Sequence, residues 1–371
     1  MAQEQGEAST VERLGRTDAP ARFPTDAPSS TYRVGVPRRS RIATRLLAGL
    51  TVAMTVAAAP IWTGTASAAP SGYSWSDPRP YGRFGRPLAL DLHNTAVQQL
   101  ETAGPTLSAA TRSAVLQIAK RPSANWIGGQ SPAEAQDLVS RIVASATAQK
   151  GLAQLVMFNL PNRTCGRDDG FLPTTATSYR AWVRGFVRGL AKQKAIVIVE
   201  PDAVAMASCL PVKQQKERFA LVKYAVDQVR AQGSWAYIDI GHSKWLDVKT
   251  AVARLKASGI SRASGFSLNV SNFRPNSELV KYGNAITARV HRNFVIDTSR
   301  NGKAPTNAQW CNPANKGLGH APTTRTNVKH LDAYLWIKNP GGSDGDCNGG
   351  PEPGHWYQQY ALMLVRNARL R

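Results

Sequence analysis

Residues 133–160 read AEAQDLVSRIVASATAQKGLAQLVMFNL, and this stretch decides the fold. Apolar residues recur at helical spacing over 133–148, and 152–160 then forms a short buried-strand pattern that Pro161 stops. The same alternation continues downstream. An amphipathic segment at 179–193 precedes the β-branched run AIVIV at 195–199, and a helical stretch at 214–232 leads into WAYIDI at 235–240. Helical and strand patterns pair again at 248–257 with 265–270 and at 286–290 with 293–296, and a last strand pattern covers 332–337. Repeated β-α units without an internal break predict an α/β fold in one domain, its parallel sheet closed or nearly closed into a barrel.

Of the 371 residues, 42% are hydrophobic and 19% charged, which excludes a disordered or collagen-like chain. Lys and Arg number 46 against 24 Asp and Glu, a net charge of +22. Residues 1–36 are polar and lack apolar periodicity; a basic segment follows at 37–45, and 46–68 carries no charge and ends Ala66-Ser67-Ala68. This predicts an N-terminal extension plus signal peptide over 1–68, cleaved after Ala68. The competing reading is an uncleaved membrane anchor, weakened by Pro60. The long preamble suggests translation from Val34 or Val36, and Arg38-Arg39 raises twin-arginine export beside the simpler Sec route. The catalytic-sized body, 69–371, keeps 38 basic against 19 acidic residues, net +19. Its Lys and Arg are dispersed without a nucleic-acid module, so no nucleic acid is expected as partner; attraction to an anionic cell wall fits an exported or cell-surface monomer better.

Cys165, Cys209, Cys311 and Cys347 form an even set in the exported part, and two disulfides are expected. Four cysteines allow three connectivities, of which Cys165 with Cys209 and Cys311 with Cys347 closes two short local loops. The six His are scattered without ligand spacing, so neither metal nor cofactor is expected. Barrel enzymes place chemistry on loops after the strands' C-terminal ends. Here those ends carry Asn159, Glu200, Asp202, Asp239, His242, Asn269, Asn272, Asp297, Arg300, Lys338 and Asp344. In Glu200-Pro201-Asp202 one carboxylate stands at a rigid turn and another just beyond, where an apolar surround can tune it as a general acid.

The ordered segments PSANWIGG (122–129), VMFNLPNRTCG (156–166), VIVEPDAVA (197–205), YIDIGHSKWL (237–246) and GFSLNVSNF (265–273) lead into three more. These are VIDTSRNGKAP (295–305), QWCNPANKGLGHAPT (309–323) and AYLWIKNPGGSDG (333–345). Together they resemble glycoside hydrolase family 6, the secreted cellobiohydrolases and endoglucanases that cut β-1,4-glucan. The resemblance implies a distorted, partly open parallel β/α barrel of about seven strands and hydrolysis with inversion. By motif position, Asp202 matches the general acid and Asp344 the catalytic base. Trp126, Trp245 and Trp310 match sugar-stacking tryptophans, Phe158 lies near the distorted sugar, and His242, Asn272 and Lys338 match hydrogen-bonding positions. Asp239, Glu200 and Arg300 are read as residues that orient these groups, and the family's disulfides fall on Cys165 with Cys209 and Cys311 with Cys347.

Three positions depart from the family pattern. Thr164 stands where the family has Asp before the first Cys, Phe158 where it has Tyr, and Gly342 where the PGESDG-type turn has Glu. Without the Asp, the acid loses a like-charged neighbour, which leaves three outcomes: weakened activity, a different β-linked glycan as substrate, or replacement of that charge by Asp168 or Asp169. Cys209 follows Asp202 by only seven positions and Cys347 follows Asp344 by three, too few for long tunnel-forming loops. The expectation is an open cleft and an enzyme that cuts a cellulose-like polysaccharide internally. The alternative is a catalytically attenuated protein that binds or remodels a β-1,4-linked polymer at the cell surface.

Overall fold

Local chemistry sets the first long helix. Ser131 Oγ accepts from Glu134 N while the Glu134 carboxylate accepts from Ser131 N at 2.8 Å, and Pro132 occupies the first turn. The helix Pro132–Ala148 then buries Ala135, Val139, Ile142, Val143 and Ala146, one stripe at helical spacing. It packs against the helix Ala176–Leu190, whose Gly185 lies so close that a Cβ there would stand 2.0 Å from Pro132 O. The residue is therefore glycine for contact, and alanine would force the pair apart.

The computed structural model describes residues 82–163, 165, 175–303 and 309–369. The predicted signal segment 1–68, Thr164, Asp168 and Asp169 lie outside them. In chain order the helices are α1 Thr95–Ala103, α2 Ala109–Ala119, α3 Pro132–Ala148, α4 Ala176–Leu190, α5 Val212–Ala231, α6 Val248–Ala257, α7 Asn276–Val290 and α8 Gln358–Arg366. The strands are β1 Asn125–Ile127, β2 Ala153–Met157, β3 Ala195–Val199, β4 Trp235–Asp239, β5 Gly265–Leu268, β6 Asn293–Asp297 and β7 Leu331–Leu335. All seven are parallel and neighbour one another in sequence order, with a register irregularity between Phe294 and Val295. The two edge strands are bridged by Ala124 N donating to Trp336 O at 3.0 Å. This is the distorted, partly open β/α barrel the sequence predicts.

Strand alternation divides the core. Val156, Ile196, Ile198, Tyr237, Val295, Ala333 and Leu335 face the lumen, joined by Phe84 and Leu88. Leu155, Val197, Ile238, Phe294 and Ile296 face the surrounding helices, which present Val139, Trp182, Phe186, Val226 and Ile286. Strands β2–β7 are buried on both faces, which is why their runs read as continuously apolar. Truncating a lumenal Ile198 to Ala costs about 2–5 kcal/mol. A third cluster unites α1, α2 and α8 around Trp336. Both disulfides form with the local connectivity, closing separations of 44 and 36 residues. Among the described residues no helix is long and apolar enough to cross a membrane.

Candidate active site

The loops beyond the C-terminal ends of the strands carry a chain of carboxylates, each held by a different set of partners. Glu200, fully buried after β3, accepts from Asn159 N at 3.0 Å, Leu160 N at 3.1 Å and Tyr179 Oη at 2.9 Å. It ties the loop after β2 to the loop after β3. Burial pushes its carboxyl up to about 7, while Tyr179, the two backbone N–H groups and Arg163 oppose that shift.

Two residues on, Asp202 has φ +70°, a conformation a non-glycine residue keeps only when its surroundings fix it. They do so here, because Asp202 N donates to Asp239 Oδ2 at 2.9 Å. Asp239 also accepts from Gly241 N at 3.2 Å and Ser267 Oγ at 3.1 Å. Burial pushes the Asp202 carboxyl above the ordinary aspartate range; Arg163 opposes this and Asp344 adds to it. Asp239 is raised as well, by burial and by the charge of Asp202. The Arg163 guanidinium stacks over Phe158 at 4.0 Å and donates to Phe158 O at 2.9 Å.

Asp344 is tuned the opposite way. Arg300 Nη1 donates to its Oδ2 at 2.7 Å, Lys338 Nζ lies 3.4 Å from Oδ1, and Asn312 N donates to Oδ2 at 3.0 Å. Burial works against its charge, but Arg300 and Lys338 outweigh it and hold the carboxyl below the usual range. Arg300 is itself fully buried, donates to Ser271 O and lies 4.6 Å from the Phe273 ring centroid. The floor of this half is Asp297, which accepts from Ser271 N at 3.0 Å, Ser299 N at 2.9 Å, Lys338 N at 3.0 Å and Ile337 N at 3.3 Å. One carboxylate thereby fixes the loops after β5, β6 and β7.

The predicted binding residues take several different environments. Trp310 is 62% exposed, two residues before the Asn312 that grips Asp344, and so has a free face to offer a sugar. Trp245 packs its ring over Gly241 and lies 5.7 Å from the His242 ring. Burial, then Arg274, lowers His242 to about 4; its Nδ1 accepts from Lys244 N at 3.2 Å, so the neutral ring keeps Nε2–H as a donor. Lys338 Nζ donates to Ser343 O at 2.8 Å, and Asn272 Nδ2 donates to Val270 O at 2.9 Å. Trp126 lies within β1; its Nε1 donates to Ile337 O at 2.8 Å and its ring meets Phe158 edge-on at 5.0 Å. Phe158 is thus packed between Trp126 and Arg163, half-buried at the top of the lumenal core. Arg163 and Asn312 lie within the quoted motifs, where their residue types alone mark no role, and Asp297 stands out in the sequence only as a strand-end residue.

A protein-family model described as glycosyl hydrolases family 6 matches residues 86–368. The chain belongs to glycosyl hydrolases family 6. The family match begins well before β1, so α1 and α2 are part of the family domain. The chain is 41% identical over 266 residues to endoglucanase A of Cellulomonas fimi, aligning 71% of this chain with 58% of that protein. It is 36% identical to endoglucanase 1 of Streptomyces halstedii, aligning 67% of this chain with 79% of that one. Among solved structures it resembles the endoglucanase Cel6 from Mycobacterium tuberculosis in complex with methyl-cellobiosyl-4-deoxy-4-thio-β-D-cellobioside. That match has a TM-score of 0.72 at 40% identity and covers 76% of this chain and 97% of that one.

Proposed function

We propose that the protein is an exported endo-β-1,4-glucanase that cleaves a cellulose-like polysaccharide with inversion at the anomeric carbon. The observation that carries this reading is the opposite tuning of two strand-end carboxylates, Asp202 raised and Asp344 lowered. Asp202, half-exposed on its fixed turn, donates a proton to the leaving glycosidic oxygen. Asp344 stays ionised because two cations hold it so, and it accepts a proton from the water that attacks the opposite face. Its low basicity reduces the driving force, and its guaranteed ionisation offsets part of that loss. Asp239 and Glu200 set the turn that aims Asp202; Arg300 and Lys338 fix the base.

Trp310, Trp245 and Trp126 provide apolar faces for the CH faces of glucose, and His242, Asn272 and Lys338 supply polar contacts. Endoglucanase relatives and the short loops between catalytic groups and disulfides support internal rather than terminal cutting. The mature chain begins at Ala69 after export, and its net charge of +19 favours retention at an anionic cell surface.

The test follows viscosity and reducing ends together on a soluble β-1,4-glucan, with the product anomer read by NMR. Internal cutting predicts a viscosity fall at low reducing-end release, and inversion predicts α-anomer first. A β-anomer first product, or no hydrolysis, contradicts the proposal.

A further inference from the structure

A cavity opens at the N-terminal ends of the strands, at the other end of the barrel from the chemistry above. It has a volume of 540 Å³ and is lined by Arg83, Arg230, Arg262, His291, Arg292 and Asn293, together with the 261–264 segment. Arg230 lies in the last turn of α5, residues 261–264 precede β5, and His291 and Arg292 join α7 to β6. All of these are at the N-terminal ends of the strands.

The charges there do not cancel. Asp332 is occupied by Arg83 Nη1 at 2.6 Å, Tyr237 Oη at 2.7 Å and Asn293 Nδ2 at 2.7 Å. Asp227 is paired with Arg262. Among the described residues Arg230 and Arg292 have no carboxylate partner. Arg230 donates once, to Ser234 O at 2.7 Å. Arg292 donates to the carbonyls of Ala263, His291 and Ser261. A guanidinium carries five N–H donors, so several remain on these two side chains, while the backbone bonds hold them in place. Four guanidiniums against two paired carboxylates leave a surplus of two positive charges around one concave space.

We propose that this cavity binds a phosphoryl group, as a free phosphate ester or as the headgroup of an anionic lipid. The rigid, bidentate fork of arginine matches the oxygens of a phosphate, and a volume in the range of about 300–1,000 Å³ suits a small ligand site. The site would give the protein's basic excess a specific address, on the face turned away from the glucan cleft. It does not depend on the glucanase reading, and either can fail alone.

The experiment uses the secreted chain and titrates inorganic phosphate by calorimetry, with phosphatidylglycerol and phosphatidylcholine vesicles in a parallel sedimentation assay. Saturable phosphate binding is expected, weakened about tenfold in Arg230→Gln, with glucan hydrolysis unchanged. Tighter binding to phosphatidylglycerol than to free phosphate assigns the headgroup; equal or weaker binding assigns the free ester. Arg230 makes one backbone bond, so Arg230→Gln folds, and its melting temperature checks this; Arg292→Gln repeats the test at the second unpaired arginine. The proposal is overturned if neither phosphate nor phosphatidylglycerol binds saturably. It is equally overturned if both variants bind like the parent, which would reduce these arginines to caps on the backbone carbonyls of the helix ends.

Discussion

Replacing Lys338 with Met removes one of the two cations that hold Asp344 ionised and leaves the apolar length of the side chain. The ammonium lies 3.4 Å from Asp344 Oδ1, and the two side chains are only 14% and 5% exposed, so solvent screens the pair weakly. Both Lys338 and Arg300 hold the Asp344 carboxyl below its usual range, and Arg300 remains at 2.7 Å, so losing the ammonium raises it part of the way back. The sign follows from the role. A base with a depressed pKa works from neutral pH well into the acid range, and raising it moves the acid limb of kcat/KM upward. The assay is the pH profile on a soluble cello-oligosaccharide. KM rises too if Lys338 touches the sugar, but the position of the limb is independent of that loss. Lys338→Arg should return the limb toward its original place. An acid limb that stays put in Lys338→Met would refute Asp344 as the group that must be ionised.

Asp239→Asn removes the carboxylate coupled to Asp202, so the upper pKa of the pair falls and the alkaline limb moves to lower pH; an unshifted limb would count against that coupling. Thr164→Asp restores the family's charge beside Arg163, and a gain in kcat of tenfold or more on soluble β-1,4-glucan is expected; no gain would mean that this position does not limit the enzyme. Replacing Cys165 and Cys209 with Ser opens a 44-residue loop and should cost about 4 kcal/mol in urea unfolding, with both fluorescence and circular dichroism following one transition. Retention on the producing cells should fall as salt rises, and release indifferent to ionic strength would contradict electrostatic attachment.

Much of this was legible because the strands are buried on both faces and their runs stand out between amphipathic helices. β3 and β4 match their sequence patterns to within a residue, and β2 ends earlier because Phe158–Leu160 already belong to the loop that Glu200 holds. β1 is too short, at three residues, for periodicity to reveal, and α8 is a nine-residue helix read only once its partners α1 and α2 are in place. The carboxylates Asp202 and Asp344 follow from their motifs. Asp297 was visible only as a strand-end residue, because its function depends on backbone N–H groups from three loops, which side-chain identity does not encode. Phe158 reads as a position near the sugar, and its packing between Trp126 and Arg163 is set by neighbours in space that the motif alone does not reveal.

The central claim is that Asp202 protonates the leaving oxygen, and single-turnover hydrolysis by Asp202→Asn tests it on two substrates of different leaving-group ability. With a cello-oligosaccharide, whose leaving sugar needs a proton, the account predicts a rate loss of about 10²–10⁴. With an aryl cello-oligosaccharide bearing an acidic phenol, the loss should be far smaller, because that leaving group departs without help. Equal losses on both substrates, or no loss on the first, would contradict the assignment.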